Sequence, residues 1–93
     1  MAYCAAKEAL DTMTLSLARA LGPEVRFVAV SPGAVTTDFV AGRDRSALTK
    51  IAEQTPLRKI VEPEDVAEAV WAAVTMRAVT GARLVMDGGR FLV

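Results

Sequence analysis

A nearly unbroken run of apolar side chains from Val25 to Val30, ended abruptly by Ser31-Pro32-Gly33, constrains the fold more than any other feature of this sequence. A strand with one face in water alternates apolar and polar residues, whereas a strand covered on both faces is apolar throughout. The run therefore predicts a strand of a parallel sheet that is covered on both faces. A second, shorter strand is predicted from Arg83 to Met86, before the turn Asp87-Gly88-Gly89.

Three other segments have the residue patterns of helices. From Ala2 to Leu21, apolar residues recur at steps of three and four, and Gly22-Pro23 then ends the helix, with glycine as the cap. A short polar stretch from about Arg45 to Glu53 is weakly helical. Pro63 to Met76 is a stronger helix, because proline suits a first turn and the two acids after it complement the helix dipole.

Both longer helices carry an apolar stripe. In the first helix the stripe comprises Ala6, Leu10, Met13, Leu17 and Leu21. In the last helix a broad buried face is predicted, comprising Val66, Ala69, Val70, Trp71, Ala73 and Val74. Apolar residues make up 53% of the chain and its mean hydropathy is positive, which suits a segment buried against something larger.

The predicted order is helix, strand, loop with a small helix, helix, strand. Two strands joined by a long connection that contains a helix predict a parallel crossover. A free-standing sheet normally needs three or more strands. Ordering 93 residues also costs on the order of 140 kcal/mol of conformational entropy, which two strands do not offset. Further strands must therefore come from elsewhere, or the chain is a fragment.

Composition excludes several classes of function. The 11 basic and 11 acidic residues cancel, so the chain lacks the basic surface of a nucleic-acid-binding protein. It has no histidine, which excludes histidine triads and most zinc sites, and we predict no metal. No apolar run approaches the roughly 20 residues that span a membrane, and we predict no signal peptide. We expect a cytoplasmic protein in which Cys4 is a small, half-buried apolar side chain.

Tyr3 and Lys7 are the candidate catalytic pair. They lie four residues apart at the start of the first predicted helix, a spacing that places both side chains on one face. An ammonium nearby favours the ionised form of a phenol, which makes a tyrosine hydroxyl a more effective acid and base. Taken alone, this spacing is more often an ordinary surface pair, so the interpretation depends on its context.

That context is a series of four motifs in a fixed order. They are Tyr3-Cys4-Ala5-Ala6-Lys7, then Val28-Ala29-Val30-Ser31-Pro32-Gly33, then Pro63-Glu64-Asp65-Val66-Ala67, and finally Thr80-Gly81 through Asp87-Gly88-Gly89. The series covers essentially the whole chain and resembles the C-terminal part of the short-chain dehydrogenase/reductase family, in its non-extended branch. The resemblance implies an α/β fold, the C-terminal fragment of a Rossmann-type doubly wound parallel sheet. Residues 1–93 would form the C-terminal part of a single NAD(P)-binding domain, without its N-terminal nucleotide-binding half.

The resemblance also implies roles for individual residues. Tyr3 would be the general acid or base, and Lys7 would favour its ionised form and bind the nicotinamide ribose. Pro32-Gly33 would lie beside the cofactor at the carboxyl end of its strand, where open α/β sheets bind ligands. The backbone of Val35 would meet the nicotinamide carboxamide, and Thr37 would offer its hydroxyl to the phosphates. Without the other motifs, Pro32-Gly33 is more typical of a plain strand-ending turn, and Thr36 and Thr37 are more typical of a helix cap.

The implied activity is that of an NAD(P)-dependent oxidoreductase, using NAD or NADP, that reduces a carbonyl or oxidises an alcohol in a small molecule. The parent enzyme would be a homotetramer or homodimer. The segment from Phe39 to Thr55 corresponds to the family's substrate loop, and Arg58 stands where the family often has glycine. The chain contains neither the family's glycine-rich loop nor the serine and asparagine that complete its site.

We therefore expect the 93-residue chain to be inactive alone. One alternative is a degenerate, non-catalytic chain that retains the fold's subunit-interaction surface. Another is a helical adaptor with no nucleotide link, which the Pro-Gly and Asp-Gly-Gly motifs disfavour.

Overall fold

The computed structural model describes residues 1–35 and 45–93. These ranges contain three helices and two strands, followed by a short 3₁₀ helix. They are α1 (Ala2–Leu21), β1 (Val28–Pro32), α2 (Arg45–Glu53), α3 (Pro63–Thr75), β2 (Ala82–Met86) and the 3₁₀ helix Arg90–Leu92. The predicted α/β order is confirmed, and the predicted bounds of α1 and α2 agree with the structure.

The strand β1 begins later than its apolar run suggests. The amide of Val25 still donates to the Leu21 carbonyl oxygen at 3.0 Å, which completes the end of α1. Gly22 ends the helix as predicted, although its φ of −74° is extended rather than the left-handed conformation of a glycine cap. The amide of Phe27 donates to Thr80 Oγ1 at 3.1 Å. These hydrogen bonds leave no trace in the apolar pattern, so the strand predicted from that pattern begins before the observed one.

The two strands pair in parallel, with Val28 opposite Ala82 and Pro32 opposite Met86. The Gly33 amide donates to the Met86 carbonyl oxygen at 3.1 Å, so the backbone groups of odd-numbered β1 residues face β2. The backbone of Pro32 therefore faces the other edge, and its missing N–H removes no bond to β2. The parallel crossover predicted from the sequence is confirmed.

The helices α1 and α3 lie on opposite faces of this sheet. Side chains alternate between the faces of a strand. Val28 and Val30 line a hollow together with α3, whereas Ala29 lines another together with α1. Helices on both faces are the arrangement of a doubly wound sheet.

The helix α1 approaches the sheet through small and polar side chains. Asp11 and Thr14 are half-buried, Ala18 is buried, and Asp11 Oδ2 accepts a hydrogen bond from Arg83 Nη1 of β2 at 2.8 Å. Most of the apolar stripe of α1 is not against the sheet, since Met13 keeps 52% of its surface exposed. The stripe is therefore open to a further layer.

The predicted buried face of α3 is only partly covered. Val66, Ala69 and Ala73 are half-buried, as expected. Val70, Trp71 and Val74 are exposed, and Trp71 retains 69% of its accessible surface. The described sheet has two strands and is too narrow to cover the whole stripe, so the prediction was wrong for these three side chains.

The N-terminus of α3 is held by charged groups. Asp65 Oδ2 accepts from the Glu62 amide at 2.8 Å, and its Oδ1 accepts from Lys59 Nζ at 2.9 Å. The hydrogen bond from the Glu62 amide, followed by that from Lys59, lowers the pKa of Asp65 below its usual value. The same contact with Asp65 raises the pKa of Lys59. Both shifts favour the charged pair that fixes the predicted helix start at Pro63.

Few side chains are buried in the described parts of the chain. The buried residues are Ala18, Leu48, Thr55 and Val61. The accessible surface is 7029 Å², whereas a compact monomer of 9.9 kDa exposes about 5,200 Å². The structure thus leaves much of its apolar surface in contact with water. Among the helices of residues 1–35 and 45–93, none has the length and apolar content needed to cross a membrane.

Candidate active site

Tyr3 and Lys7 lie on the same side of α1, in its first two turns. The Lys7 ammonium is 5.5 Å from the centroid of the Tyr3 ring. Tyr3 is 72% exposed, so its hydroxyl is accessible to a ligand. The helical spacing of four residues therefore places phenol and ammonium together as the sequence predicted.

Both side chains line a hollow of about 560 Å³ between α1 and β1. Its lining residues are Tyr3, Lys7, Leu10, Asp11, Thr14, Val28, Ala29, Val30, Ser31, Pro32, Gly33 and Arg83. Four of the six predicted site residues thus meet at one place, two from the helix and two from the carboxyl end of the strand. Ligands of open α/β sheets bind at that end of the strands.

Of the other two predicted residues, Val35 lies beyond the lining of this hollow. Val35 forms an isolated parallel bridge with Val61, and the Val61 amide donates to the Ala34 carbonyl oxygen at 3.3 Å. Thr37 falls outside the described residues, as does the first part of the predicted substrate segment. Of that segment, the structure describes α2 and the two residues that follow it.

Charges in the hollow favour a ligand with hydroxyl or anionic groups. The carboxylate of Asp11 is paired with Arg83 at 2.8 Å. This pairing leaves the Lys7 ammonium available, and an ammonium donates up to three hydrogen bonds. The site therefore combines a phenolic hydroxyl for proton transfer with a cation for binding.

Among the lining residues that sequence reasoning did not assign to the site are Asp11, Thr14 and Arg83. Asp11 and Thr14 continue the spacing of Tyr3 and Lys7 along the same helical face, so this spacing could have identified them. Arg83 has no comparable signal, because only the parallel pairing of β2 brings it beside α1. Cys4 also differs from its prediction: it is free and exposed, since nothing described here covers the first turns of α1 on that side.

Comparison with known proteins identifies the family. A family model described as enoyl-(acyl carrier protein) reductase matches residues 1–90. The short-chain dehydrogenase/reductase homolog YusR of Bacillus subtilis is 38% identical over 92 residues, which cover 99% of this chain and 70% of that protein. This chain belongs to the short-chain dehydrogenase/reductase family. The resemblance inferred from the four motifs is confirmed.

Solved short-chain dehydrogenase structures support the same fold. A small-chain dehydrogenase in complex with NADPH superposes with a TM-score of 0.85 at 29% identity, covering 92% of this chain and 41% of that one. A 4-hydroxyisoleucine dehydrogenase complexed with NADH gives a TM-score of 0.87 at 26% identity, covering 99% and 40%. The chain thus spans about two fifths of the length of these dehydrogenases and corresponds to part of their Rossmann-type domain.

Proposed function

We propose that this chain supplies the catalytic, nicotinamide-facing part of an NAD(P)-dependent oxidoreductase. The observation that carries the proposal is the meeting of Tyr3, Lys7 and the Pro32-Gly33 strand end around one hollow. The substrate is a small molecule with a carbonyl or an alcohol group. The dehydrogenases bound to NADPH and NADH support either dinucleotide as the cofactor.

The described residues fit the nicotinamide end of such a cofactor. Lys7 would donate hydrogen bonds to the ribose hydroxyls, and the backbone beyond Gly33 would meet the carboxamide at Val35. Thr37 is proposed to contact the phosphates. When bound, the dinucleotide supplies or accepts a hydride. The hollow holds about 560 Å³, which is of the order of small-molecule sites.

Proton transfer is the task of Tyr3. During reduction, its hydroxyl donates a proton to the carbonyl oxygen of the substrate, and during oxidation the phenolate accepts the proton of the alcohol. Lys7 is proposed to stabilise the phenolate electrostatically. The position of its ammonium, 5.5 Å from the ring centroid, supports this role. The exposed position of Tyr3 lets a substrate reach the hydroxyl.

Residues 1–93 are proposed to form the C-terminal part of one dinucleotide-binding domain, completed by a nucleotide-binding half. The open apolar surfaces of α1 and α3 and the narrow sheet support this assignment. The proposal extends to a cytoplasmic homodimer or homotetramer for the complete enzyme. Alone, the 93-residue chain is expected to show no turnover of NAD(P)H with a carbonyl substrate.

A chimera tests the function directly. Residues 3–93 replace the matched segment of the dehydrogenase that binds NADPH, and the rate is measured with that enzyme's own substrate. The Tyr3→Phe variant is expected to lower kcat at least about 100-fold while NADPH binding is retained, since only the proton is lost. Lys7→Ala is expected to raise the KM for NADPH and to lower kcat.

Ser16→Ala provides the control, because Ser16 is an exposed residue of the same helix outside the hollow. Ser16→Ala should leave kcat and the KM for NADPH unchanged. Full activity of Tyr3→Phe in the folded chimera would contradict the proposal, and so would an inactive chimera that binds NADPH normally. Turnover by the 93-residue chain itself would overturn the expectation that it is inactive alone.

A non-catalytic chain that acts as a subunit-interaction module is the second candidate. The exposed apolar side chains Val70, Trp71 and Val74 on α3 favour it, because contiguous apolar patches mark interaction surfaces. A folded chimera without activity that still assembles into oligomers through α3 would support this reading over the first.

A further inference from the structure

The turn Asp87-Gly88-Gly89 contacts two parts of the chain near the candidate active site. One is the backbone at Gly33, and the other is the segment from Thr55 to Val61. The turn follows β2 directly, and both of its glycines have positive φ angles, 68° and 87°. Asp87 Oδ1 accepts from the Gly89 amide at 2.9 Å, and Oδ2 accepts from the Phe91 amide at 3.2 Å. The carboxylate thus fixes the shape of the turn.

The first contact of the turn is with Gly33, the residue that follows β1. The Gly33 amide donates to the Met86 carbonyl oxygen at 3.1 Å, immediately before the turn. A Cβ atom on Gly33 would lie 2.7 Å from Asp87 Cβ and 3.0 Å from its Cα. The first distance is shorter than Cβ atoms show in proteins, and the second is unusually tight. The backbone of Gly33 therefore packs against Asp87 itself, with no side chain between them.

The second contact is with the segment from Thr55 to Val61. The Leu57 amide donates to the Gly88 carbonyl oxygen at 3.0 Å. A Cβ on Gly88 would meet the Lys59 carbonyl oxygen at 3.2 Å, and one on Gly89 would meet Pro56 Cγ at 2.9 Å. Both glycines are needed here for space as well as for their backbone conformation.

The segment from Thr55 to Val61 contacts the backbone beside the candidate site through its last residue, Val61. Val61 is 5% exposed, bridges Val35, and donates its amide to the Ala34 carbonyl oxygen at 3.3 Å. Residues 33–35 are therefore held on one side by Met86 and Asp87 and on the other by a segment that the same turn anchors.

We propose that Asp87 is a positioning residue, which sets the backbone at Gly33–Val35 through the turn it closes. The inference rests on the proposed function for its consequence, because this is the backbone assigned to the nicotinamide carboxamide. Asp87 does not line the hollow, so its effect reaches the ligand only through the backbone. Loss of the carboxylate removes the two bonds that close the turn, which loosens both contacts through the backbone and leaves the Tyr3–Lys7 pair in place.

Amide hydrogen exchange of the full chain, measured by NMR, tests the positioning role. In Asp87→Ala, exchange at Gly33 and Val61 should accelerate at least about tenfold, because two bonds to a charged acceptor are lost. The Gly81 amide, bonded to the Phe27 carbonyl oxygen at the far end of the sheet, should change little. Asp87→Asn should restore part of the protection, since its side-chain oxygen can still accept from the Gly89 amide.

Gly81→Ala is the matched control. Gly81 also has a positive φ of 72°, but a Cβ there would meet only ordinary contacts at 3.5 and 3.7 Å, remote from the turn. It should accelerate exchange at residue 81 and spare Gly33 and Val61. Equal acceleration at all three amides in Asp87→Ala would overturn the proposal. Unchanged exchange at Gly33 and Val61 would overturn it too, as would a wild-type chain in which these two amides are unprotected.

Titration of the chimera with NADPH separates this inference from the proposed function. Asp87→Ala in the chimera should weaken the apparent Kd for NADPH about tenfold. Gly81→Ala should leave the Kd unchanged. If the folded chimera does not bind NADPH, the proposed cofactor role is contradicted, while the exchange rates of the 93-residue chain still decide the role of Asp87.

Discussion

Arg58 has a φ of 50°, in the left-handed region that glycine adopts without steric cost. The sequence already marked this position, because the family often has glycine there. Its amide donates to the Thr55 carbonyl oxygen at 2.9 Å, which closes the turn after α2. An ordinary L-residue in this conformation has its Cβ too close to a carbonyl oxygen, and this costs about 1–2 kcal/mol.

Arg58→Gly should therefore raise the free energy of unfolding by about 0.5–1 kcal/mol, after allowance for the greater freedom of glycine in the unfolded chain. Urea unfolding followed by circular dichroism at 222 nm measures the change. Arg58→Ala keeps the steric cost and should not give this gain. A glycine variant less stable than the alanine variant would contradict the explanation.

Single residues also show where sequence reasoning succeeds. The Tyr3–Lys7 pair and the Pro32-Gly33 turn were identified because local spacing and the order of motifs determine where they lie. Arg83 and Asp87 were not assigned to the site region, because their contacts with Asp11 and Gly33 exist only after β2 pairs with β1. Residues that act through long-range contacts leave no pattern in one sequence.

At the scale of elements, the end of α3 is joined to the start of β1 by one side chain. Arg26 Nη1 donates to the carbonyl oxygens of Ala73, Met76 and Val79 at 2.9, 2.9 and 3.1 Å. Its Nη2 donates to the Val74 carbonyl oxygen at 2.8 Å. These carbonyl groups lie at and just beyond the last turn of α3, where helix carbonyls lack intrahelical partners, and the Met76 carbonyl oxygen also accepts from the Val79 amide at 3.2 Å. The positive charge of Arg26 complements the helix dipole.

Arg26→Ala should lower the free energy of unfolding by about 1–2 kcal/mol, because the bonds come from a charged but solvent-exposed group. Arg26→Lys should lose most of this stability as well, since an ammonium cannot reproduce the planar, forked geometry. Urea unfolding gives both values. Arg19→Ala, an exposed arginine with no hydrogen bond recorded in the described structure, should have little effect. A lysine variant as stable as wild type would show that charge alone suffices.

The order of elements was predictable because helices and strands differ in the period of their apolar residues. The end of α1 followed from Gly22-Pro23. The side of each helix that packs was harder to predict. In α1 the sheet contacts Asp11, Thr14 and Ala18 while most of the apolar stripe stays open, since an apolar pattern identifies a surface to be covered and not what covers it.

At the scale of the whole molecule, the apolar surface is divided between a small buried set and a larger exposed one. Val61 keeps 5% of its surface exposed, whereas Trp71 keeps 69%. Only side chains removed from water contribute hydrophobic stabilisation. Substitution should therefore cost much more stability at Val61 than at Trp71, although both residues are apolar.

Val61→Ala should lower the free energy of unfolding by about 2 kcal/mol, because it deletes two buried carbon groups and leaves a cavity. Trp71→Gln should change it by less than about 0.5 kcal/mol, as is usual for exposed positions. Circular dichroism during urea unfolding measures both without relying on tryptophan fluorescence. A large loss of stability in Trp71→Gln would mean that the face of α3 is covered in solution.

The outward edge of β1 has one further consequence. Because the backbone of Val28, Val30 and Pro32 faces away from β2, a strand joining there would meet two N–H donors and then a proline ring. Unpaired edges recruit foreign strands, and proline is one of the residues that limit such recruitment. Because Pro32 has no N–H to donate, the hydrogen-bond ladder between β1 and an added strand would end at Pro32. That residue lies beside the candidate active site.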